Sequence, residues 1–353
     1  MTASQHPGHP AGEQQLDPWG QPLNDPWAPT PDSRRGGSGG VPGPSTRRAR
    51  PTSDTLGAPL ENDRRRLSGV RATGGSLRRI LGMLFGGKHR ATEISQFAAG
   101  VQAPVTTGRR IAVVSTRGGA GKTTAAALLA RTFSALRTDS VCVLDLDPGH
   151  GSLALRLGID DALALDSIVP ELTNGAQPGA AHLAELLAPA ADGLYATGPR
   201  SGSPQRTAAP LLREAASTVS RYFPITLLDC PTGLEAPETQ AALADCHGAL
   251  FVVPATLSGL DDALTALSRW RMNPLLAPVP LTVLVMQQDH SSALQALDQA
   301  GRLSRLGFDA HAIGYDRHLA AGARVTLPLM LPAHREAGTV LAARNLELAN
   351  GVQ

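Results

Sequence analysis

A short apolar run, a glycine-rich turn and an Ala/Leu-rich stretch follow one another between residues 111 and 136. No other feature of this 353-residue chain restricts its fold as much. The turn reads Thr116-Arg117-Gly118-Gly119-Ala120-Gly121-Lys122-Thr123-Thr124. Small residues let backbone N–H groups curl around a phosphate, and the N-terminus of the following helix adds a favourable dipole. In such a loop the lysine neutralises β- and γ-phosphates and the next hydroxyl, here Thr123, can ligate Mg²⁺. Thr124 can reach an α-phosphate oxygen. Lys122 is one of only two lysines among 32 basic residues, the other being Lys88. Its place at this one position argues against an incidental Gly-rich turn.

From residue 110 onward, short β-rich runs alternate with helical stretches. Strands are expected at 111–115, 141–145, 193–197, 225–229, 249–253, 281–286 and 310–313. Most are almost wholly apolar, as strands covered on both faces are. The alternation predicts an α/β fold, a doubly wound, mostly parallel sheet with helices on both sides. Hydrophobic residues make up 42% of the chain and aromatics only 3%, so its core is aliphatic.

Two acidic stretches follow the loop, each after a predicted strand. The first is Leu144-Asp145-Leu146-Asp147-Pro148-Gly149-His150-Gly151, and the second is Leu227-Leu228-Asp229-Cys230-Pro231-Thr232-Gly233-Leu234. Acids at the C-terminal ends of strands can hold a metal's water shell or position an attacking water beside a terminal phosphate. With the loop before them, these stretches resemble the MinD/ParA family of deviant Walker-type ATPases. The resemblance implies a SIMIBI-type P-loop NTPase that binds ATP and Mg²⁺ and hydrolyses ATP. It gives Asp147 the task of orienting water, and gives Asp145 and Asp229 to the Mg²⁺ shell together with Thr123. Gly118, Gly119, Ala120, Gly121, Lys122, Thr123 and Thr124 form the phosphate cradle. The family's signature lysine, which reaches the partner's phosphates in a nucleotide-sandwiched homodimer, is replaced by Arg117, a longer bidentate cation. Gln287 stands where the family places an adenine-contacting Asn. Tyr315, in Gly314-Tyr315-Asp316-Arg317-His318-Leu319, matches a base-flanking stretch with glycine in place of proline. For both, a plain surface loop is the equal alternative.

The N-terminal part has another character. Residues 1–60 hold 11 Pro and 9 Gly, too few apolar groups to offset the entropy of ordering, so 1–63 is expected to be a disordered tail. Within it Asp17-Pro18-Trp19 recurs as Asp25-Pro26-Trp27. Residues 64–92 carry eight basic residues and no acid, and Leu77, Ile80, Leu81, Leu84 and Phe85 fall on one helical face. A basic amphipathic helix of this kind suits a membrane surface, a partner helix or the globular domain itself. Segment 64–105 therefore reads as this helix plus a linker, and 106–353 as the ATPase domain. Residues 1–110 balance 15 basic against 8 acidic residues, and 111–353 balance 17 against 22. DNA is accordingly a less favoured partner for the domain than for the tail.

Cys142, Cys230 and Cys246 give neither a disulfide framework nor a CxxC motif. The N-terminus lacks the apolar core of a signal peptide, and no apolar run approaches ~20 residues. The expected location is cytoplasmic, with peripheral contact at the inner face of the cell membrane left open. The Pro-rich tail, the short Arg-containing helix ending in Gly86-Gly87, and the Asp-Cys-x-Thr-Gly-Leu and Tyr-Asp-Arg-His-Leu stretches are similar to an actinobacterial MinD-like group. That group includes the EspI-like proteins of type VII secretion systems. It implies an ATP switch that regulates or positions a membrane machine, with a protein partner held through the tail. A ParA-type partition ATPase and a nucleotide-binding scaffold without significant hydrolysis are the alternatives.

Overall fold

The computed structural model describes residues 88–147, 151–174, 178–191, 193–198, 207–290 and 293–351. The expected tail 1–63, the amphipathic face at 77–85 and residues 148–150 lie outside these. β1 (Arg109–Val114) leads through the glycine loop into α2 (Lys122–Leu136), and an earlier helix, α1 (Lys88–Val101), precedes it. β2 (Val141–Asp145) is followed by α3 (Leu153–Leu157), α4 (Leu165–Thr173) and α5 (Ala180–Leu186). Next come β3 (Ala188–Ala191), β4 (Leu194–Ala196), α6 (Ala209–Val219), β5 (Ile225–Asp229), α7 (Pro237–Asp245) and β6 (Gly248–Pro254). The chain continues through α8 (Leu257–Met272), β7 (Leu281–Met286), α9 (Ala296–Arg305), β8 (Asp309–Ile313) and α10 (Arg317–Ala320). A 3-10 turn at Leu327–Leu329 precedes α11 (Pro332–Asn350).

The eight strands form one sheet in the order β3-β4-β2-β5-β1-β6-β7-β8. All pairings are parallel except β3 with β4. Alternate residues of β1 enter opposite cores: Ile111 and Val113 join the cluster under α1, α2, α3 and α11, while Ala112 and Val114 join that under α4–α6, α8 and α9. The crossover through α2 runs toward β2, and those through α6, α7, α8 and α9 run the other way. Right-handed crossovers then oblige α2 to lie on the face opposite the other four. The fold expected from the sequence is the one observed.

Two elements depart from the reading of the sequence. β3 was not expected, since Ala188-Pro189-Ala190-Ala191 has neither alternation nor β-branched residues. Pro189 lacks an N–H and is tolerated because β3 is an edge strand with a register shift at that point. The stretch read as linker contains α1, whose Ile94, Ala98 and Val101 are buried and which packs on α11. α11 is a packed helix, with Leu341, Ala342 and Leu346 fully buried. No helix among the described residues is long and apolar enough to cross a membrane.

Gly108 marks the entry to β1. A Cβ there would lie 1.7 Å from the Ser220 carbonyl oxygen and 2.9 Å from that of Phe223. Both obstacles are backbone, so neither can swing aside. Gly108→Ala is expected to destabilise the fold by about 2–3 kcal/mol, measured by urea unfolding, whereas Gly179→Ala, with open space around its Cβ, should cost less than about 1 kcal/mol.

Candidate functional site

The glycine loop closes on itself because Gly119 and Gly121 take left-handed backbone conformations, φ 71° and 96°. Gly121 is also the N-cap of α2. A Cβ on Gly121 would sit 2.8 Å from Met286 Sδ at the end of β7, so this glycine is required by contact as well as by conformation. Gln288 Nε2 donates to the Gly119 carbonyl from the same side, and Ser115 Oγ donates to the Arg117 carbonyl at 2.7 Å. Ala120 is fully buried beneath the loop.

Parallel register brings the acids to the loop. Val113 of β1 pairs with Asp229 of β5, and Asp229 pairs with Asp145 of β2. The two carboxylates therefore stand side by side at the C-terminal edge of the sheet, next to the strand that feeds the loop. Lys122 is buried and donates from Nζ to Thr232 Oγ1 at 2.9 Å. Burial lowers its pKa, and the negative charges of Asp229 and Asp147 act against that shift.

Burial pushes the Asp229 carboxyl up to about 7, although the Thr123 hydroxyl bonds it and Lys122 attracts it. Asp145 is raised well above the carboxylate range, first by burial and then by repulsion from Asp229. Its Oδ1 accepts from the Asp147 backbone N–H at 3.0 Å, and its own N–H donates to Thr197 Oγ1 at 2.8 Å. One oxygen of each acid, Asp145 Oδ2 and Asp229 Oδ1, is buried without a hydrogen-bond partner.

Lys122 and Asp147 border a cleft of about 410 Å³, within the range of small-ligand sites, ~300–1,000 Å³. Gly119, Gly121, Lys122, Thr123, Thr124, Asp147 and Gln287 line it. Other expected site residues stand elsewhere. Asp145 and Asp229 lie behind its wall, buried. Arg117 points to α8, where it forms an ion pair with Asp262. Both side chains are more than a third exposed, 44% and 37%, so the pair contributes about 0–1 kcal/mol. Gln287 spends its amide locally, donating to the Asp289 carbonyl at 3.1 Å and accepting from the Ala296 N–H at 3.4 Å. Tyr315 is packed edge-on against His290, ring centroids 5.5 Å apart. Its neighbours Gly314 and Asp316 line the cleft instead.

Sequence reasoning did not single out Ser152, Arg156, Met286 or Gln288, which also line the cleft. No local pattern marks them, since each depends on where a distant element ends.

Among the described residues no group of three His, Cys, Asp or Glu could hold a metal alone. A P-loop cation does not need one, because the nucleotide's phosphates supply ligands beside a loop hydroxyl. Thr123, the two orphaned carboxylate oxygens and the local excess of negative charge fit Mg²⁺ held in that way.

A glycine loop at a helix N-terminus, a buried lysine, and acids from two adjacent strand ends in a doubly wound sheet define a P-loop nucleotide-binding protein. Residues 111–314 match the model of the CobQ/CobB/MinD/ParA nucleotide-binding domain, and the chain belongs to that family. It is 29% identical over 246 residues to the ESX-1 secretion-associated protein EspI of Mycobacterium tuberculosis. The match takes in 66% of this chain and 36% of EspI, so the chain spans about a third of that relative's length. An uncharacterized ATP-binding protein of Methanocaldococcus jannaschii is 28% identical over 156 residues, 44% of this chain and 56% of that one. Among solved structures, the Pyrococcus furiosus cell division ATPase MinD superposes with a TM-score of 0.53 at 20% identity. It covers 68% of this chain and 99% of its own. A ParA family ATPase from Chlorobium tepidum gives 0.52 at 15% identity, over 62% and 90%. The fold is thus that of MinD and ParA, and the chain is a MinD/ParA-like nucleotide-binding protein with sequence likeness to EspI.

The raised pKa of Asp229 has a measurable sign. An acid whose folded pKa lies above its unfolded value of 3.8 makes its full contribution below about 4. It loses that contribution as pH rises to about 7, at about 1.4 kcal/mol per unit. Asp229→Asn removes this titration. Without nucleotide, the stability of the variant minus that of the parent is expected to rise from pH 5 to pH 8. Urea unfolding at the two pH values checks it, and a flat difference would contradict the buried, strained carboxylate.

Proposed function

We propose that this chain is an ATP-binding, ATP-hydrolysing switch whose domain, residues 106–353, is tied by its N-terminal segments to a membrane-associated machine such as a type VII secretion system. The observation that carries the nucleotide reading is the meeting of Lys122, Thr123 and Asp147 in one cleft, with Asp145 and Asp229 buried directly behind. In this reading the N–H groups of Gly118, Gly119, Ala120 and Gly121 bind the phosphates and Lys122 neutralises them. Thr123, Asp229 and Asp145 serve Mg²⁺, which when bound spreads charge off the β- and γ-oxygens. Asp147 orients the attacking water, and its backbone N–H on Asp145 keeps it next to the cluster. Gln287 lines the end of the cleft that holds the base, and Tyr315 stands beside that end, next to the lining residues Gly314 and Asp316.

Arg117 serves phosphate in cis or across a homodimer once it leaves Asp262. The secretion assignment is supported by the likeness to EspI. The protein partner is met through the tail 1–63 and the basic segment 64–105, which is also where peripheral contact with the cytoplasmic face of the membrane would be made. A partition role is less favoured, because residues 111–353 balance 17 basic against 22 acidic residues. A scaffold without significant hydrolysis is the second reading, favoured by the engagement of Arg117 with Asp262 and of Gln287 with its own backbone.

Purified full-length chain is expected to release phosphate from MgATP slowly. Lys122→Ala should weaken ATP binding by more than tenfold. Asp147→Ala should leave binding within about threefold and lower turnover at least 100-fold, as loss of a water-positioning group does. Calorimetry with MgATP and a phosphate-release assay read the two effects separately. Tight binding with no turnover in the parent would favour the scaffold, and no uptake of ATP would overturn the nucleotide reading.

A further inference from the structure

One cation in the cleft is accounted for neither by the glycine loop nor by the acidic stretches. Arg156, on α3, lines the cleft together with Ser152, Thr124 and Leu319. Its Nη1 donates to the Leu319 carbonyl at 3.0 Å, and its own carbonyl accepts from the Val325 N–H at 2.8 Å. Its Nε is buried with no hydrogen-bond partner. Among the described residues no carboxylate offsets the charge, and burial lowers the pKa of this guanidinium.

Neighbouring His318 has its pKa lowered first by burial; Asp316 works against that shift and Arg156 adds to it. Beneath α3, Arg131 bonds the Leu157 carbonyl and is itself disfavoured by the charge of Arg324. A half-buried guanidinium that spends one donor on a carbonyl and leaves another unmet loses more hydration than it regains. An anion in the cleft would supply what is missing.

The position selects which anion. Leu153 and Leu157 of α3, with Leu319 of α10, belong to the apolar cluster on the α2 face of the sheet. Arg156 therefore stands on the α2 face, the face on which Thr124 also borders the cleft. Lys122 and Asp147, which act on each other electrostatically, hold the end assigned to the terminal phosphates. We infer that Arg156 is a nucleotide-binding residue whose guanidinium meets the α-phosphate and ties the helix after the first acidic stretch to the loop after β8. This rests on the nucleotide reading above and adds a contact which that reading does not contain.

The test uses full-length chain and measures ATP, ADP and AMP by competition with a fluorescent ATP analogue. Arg156→Gln is expected to weaken all three by a similar factor, about tenfold, the scale of one charge-assisted hydrogen bond. Arg156→Lys, which keeps the charge, should stay within about threefold of the parent. Lys122→Ala should weaken ATP and ADP far more than AMP. Unchanged affinities in Arg156→Gln would overturn the inference, and so would a loss confined to ATP, which would move the contact to the γ-phosphate. Equal losses in the Gln and Lys variants, with a matching fall in unfolding temperature, would make Arg156 a structural brace and overturn it too. A parent chain that binds none of the three overturns the nucleotide reading itself, a result distinct from any of these.

Discussion

Two carboxylates on adjacent strand ends, buried beside a single amine, set the terms for the rest of the site. Register alone brings Asp145 and Asp229 together, on strands that run about 4.8 Å apart. Both are pushed toward the protonated form by loss of water, and Asp145 further by its neighbour. The protein meets part of this cost locally, with the Asp147 N–H on Asp145, the Thr123 hydroxyl on Asp229, and Lys122 held close by Thr232. It leaves one oxygen of each acid without a partner. Such a cluster suits a divalent cation, since the charge it lacks is positive and small in volume.

The loop is not an independent turn laid over this cluster. Its conformation is set by β7 as much as by its own glycines, since Met286 fills the space a side chain at Gly121 would need and Gln288 holds the Gly119 carbonyl. On the other flank, Arg117 reaches α8 through Asp262. The loop is thereby held from the β7 side, and the dipole of α2 acts at a loop whose shape is already set. The surface pair at Arg117 is weak, so it holds that side chain without fixing it.

What could be read from the chain was what local physics controls. Strands buried on both faces are almost wholly apolar, and β1, β2, β5, β6 and β7 were visible for that reason. By contrast, β3 is an edge strand containing proline and carries no such pattern. α1 did carry one, with Ile94, Phe97, Ala98 and Val101 at helical spacing, yet the basic residues before it drew the reading toward a linker. In the candidate cleft, Lys122 and Thr123 could be placed from sequence because they open the helix after a glycine loop, and Asp145, Asp147 and Asp229 because they stand at or just past strand ends. Arg156, Met286 and Gln288 could not, because their approach to the loop is a property of how distant elements end. The same cause explains Arg117, whose charge was legible and whose partner, 145 residues away, was not.

In the stretch around Tyr315 the residue with the most structural work is the neighbouring Asp316. Asp316 is buried and accepts from the His318 and Leu319 N–H groups at 2.9 and 3.4 Å, from the Leu331 N–H at 3.0 Å and from His334 Nδ1 at 3.0 Å. Burial works to raise its pKa, and these four donors outweigh it and hold the carboxyl below its ordinary value. One carboxylate thus caps the start of α10 and fastens it to the start of α11. The work of this aspartate is to place main chain, and the main chain it places includes the Leu319 carbonyl that receives Arg156. The part of the cleft farthest in sequence from the glycine loop is therefore joined to the switch side by a hydrogen bond to backbone, which no side-chain motif could have announced.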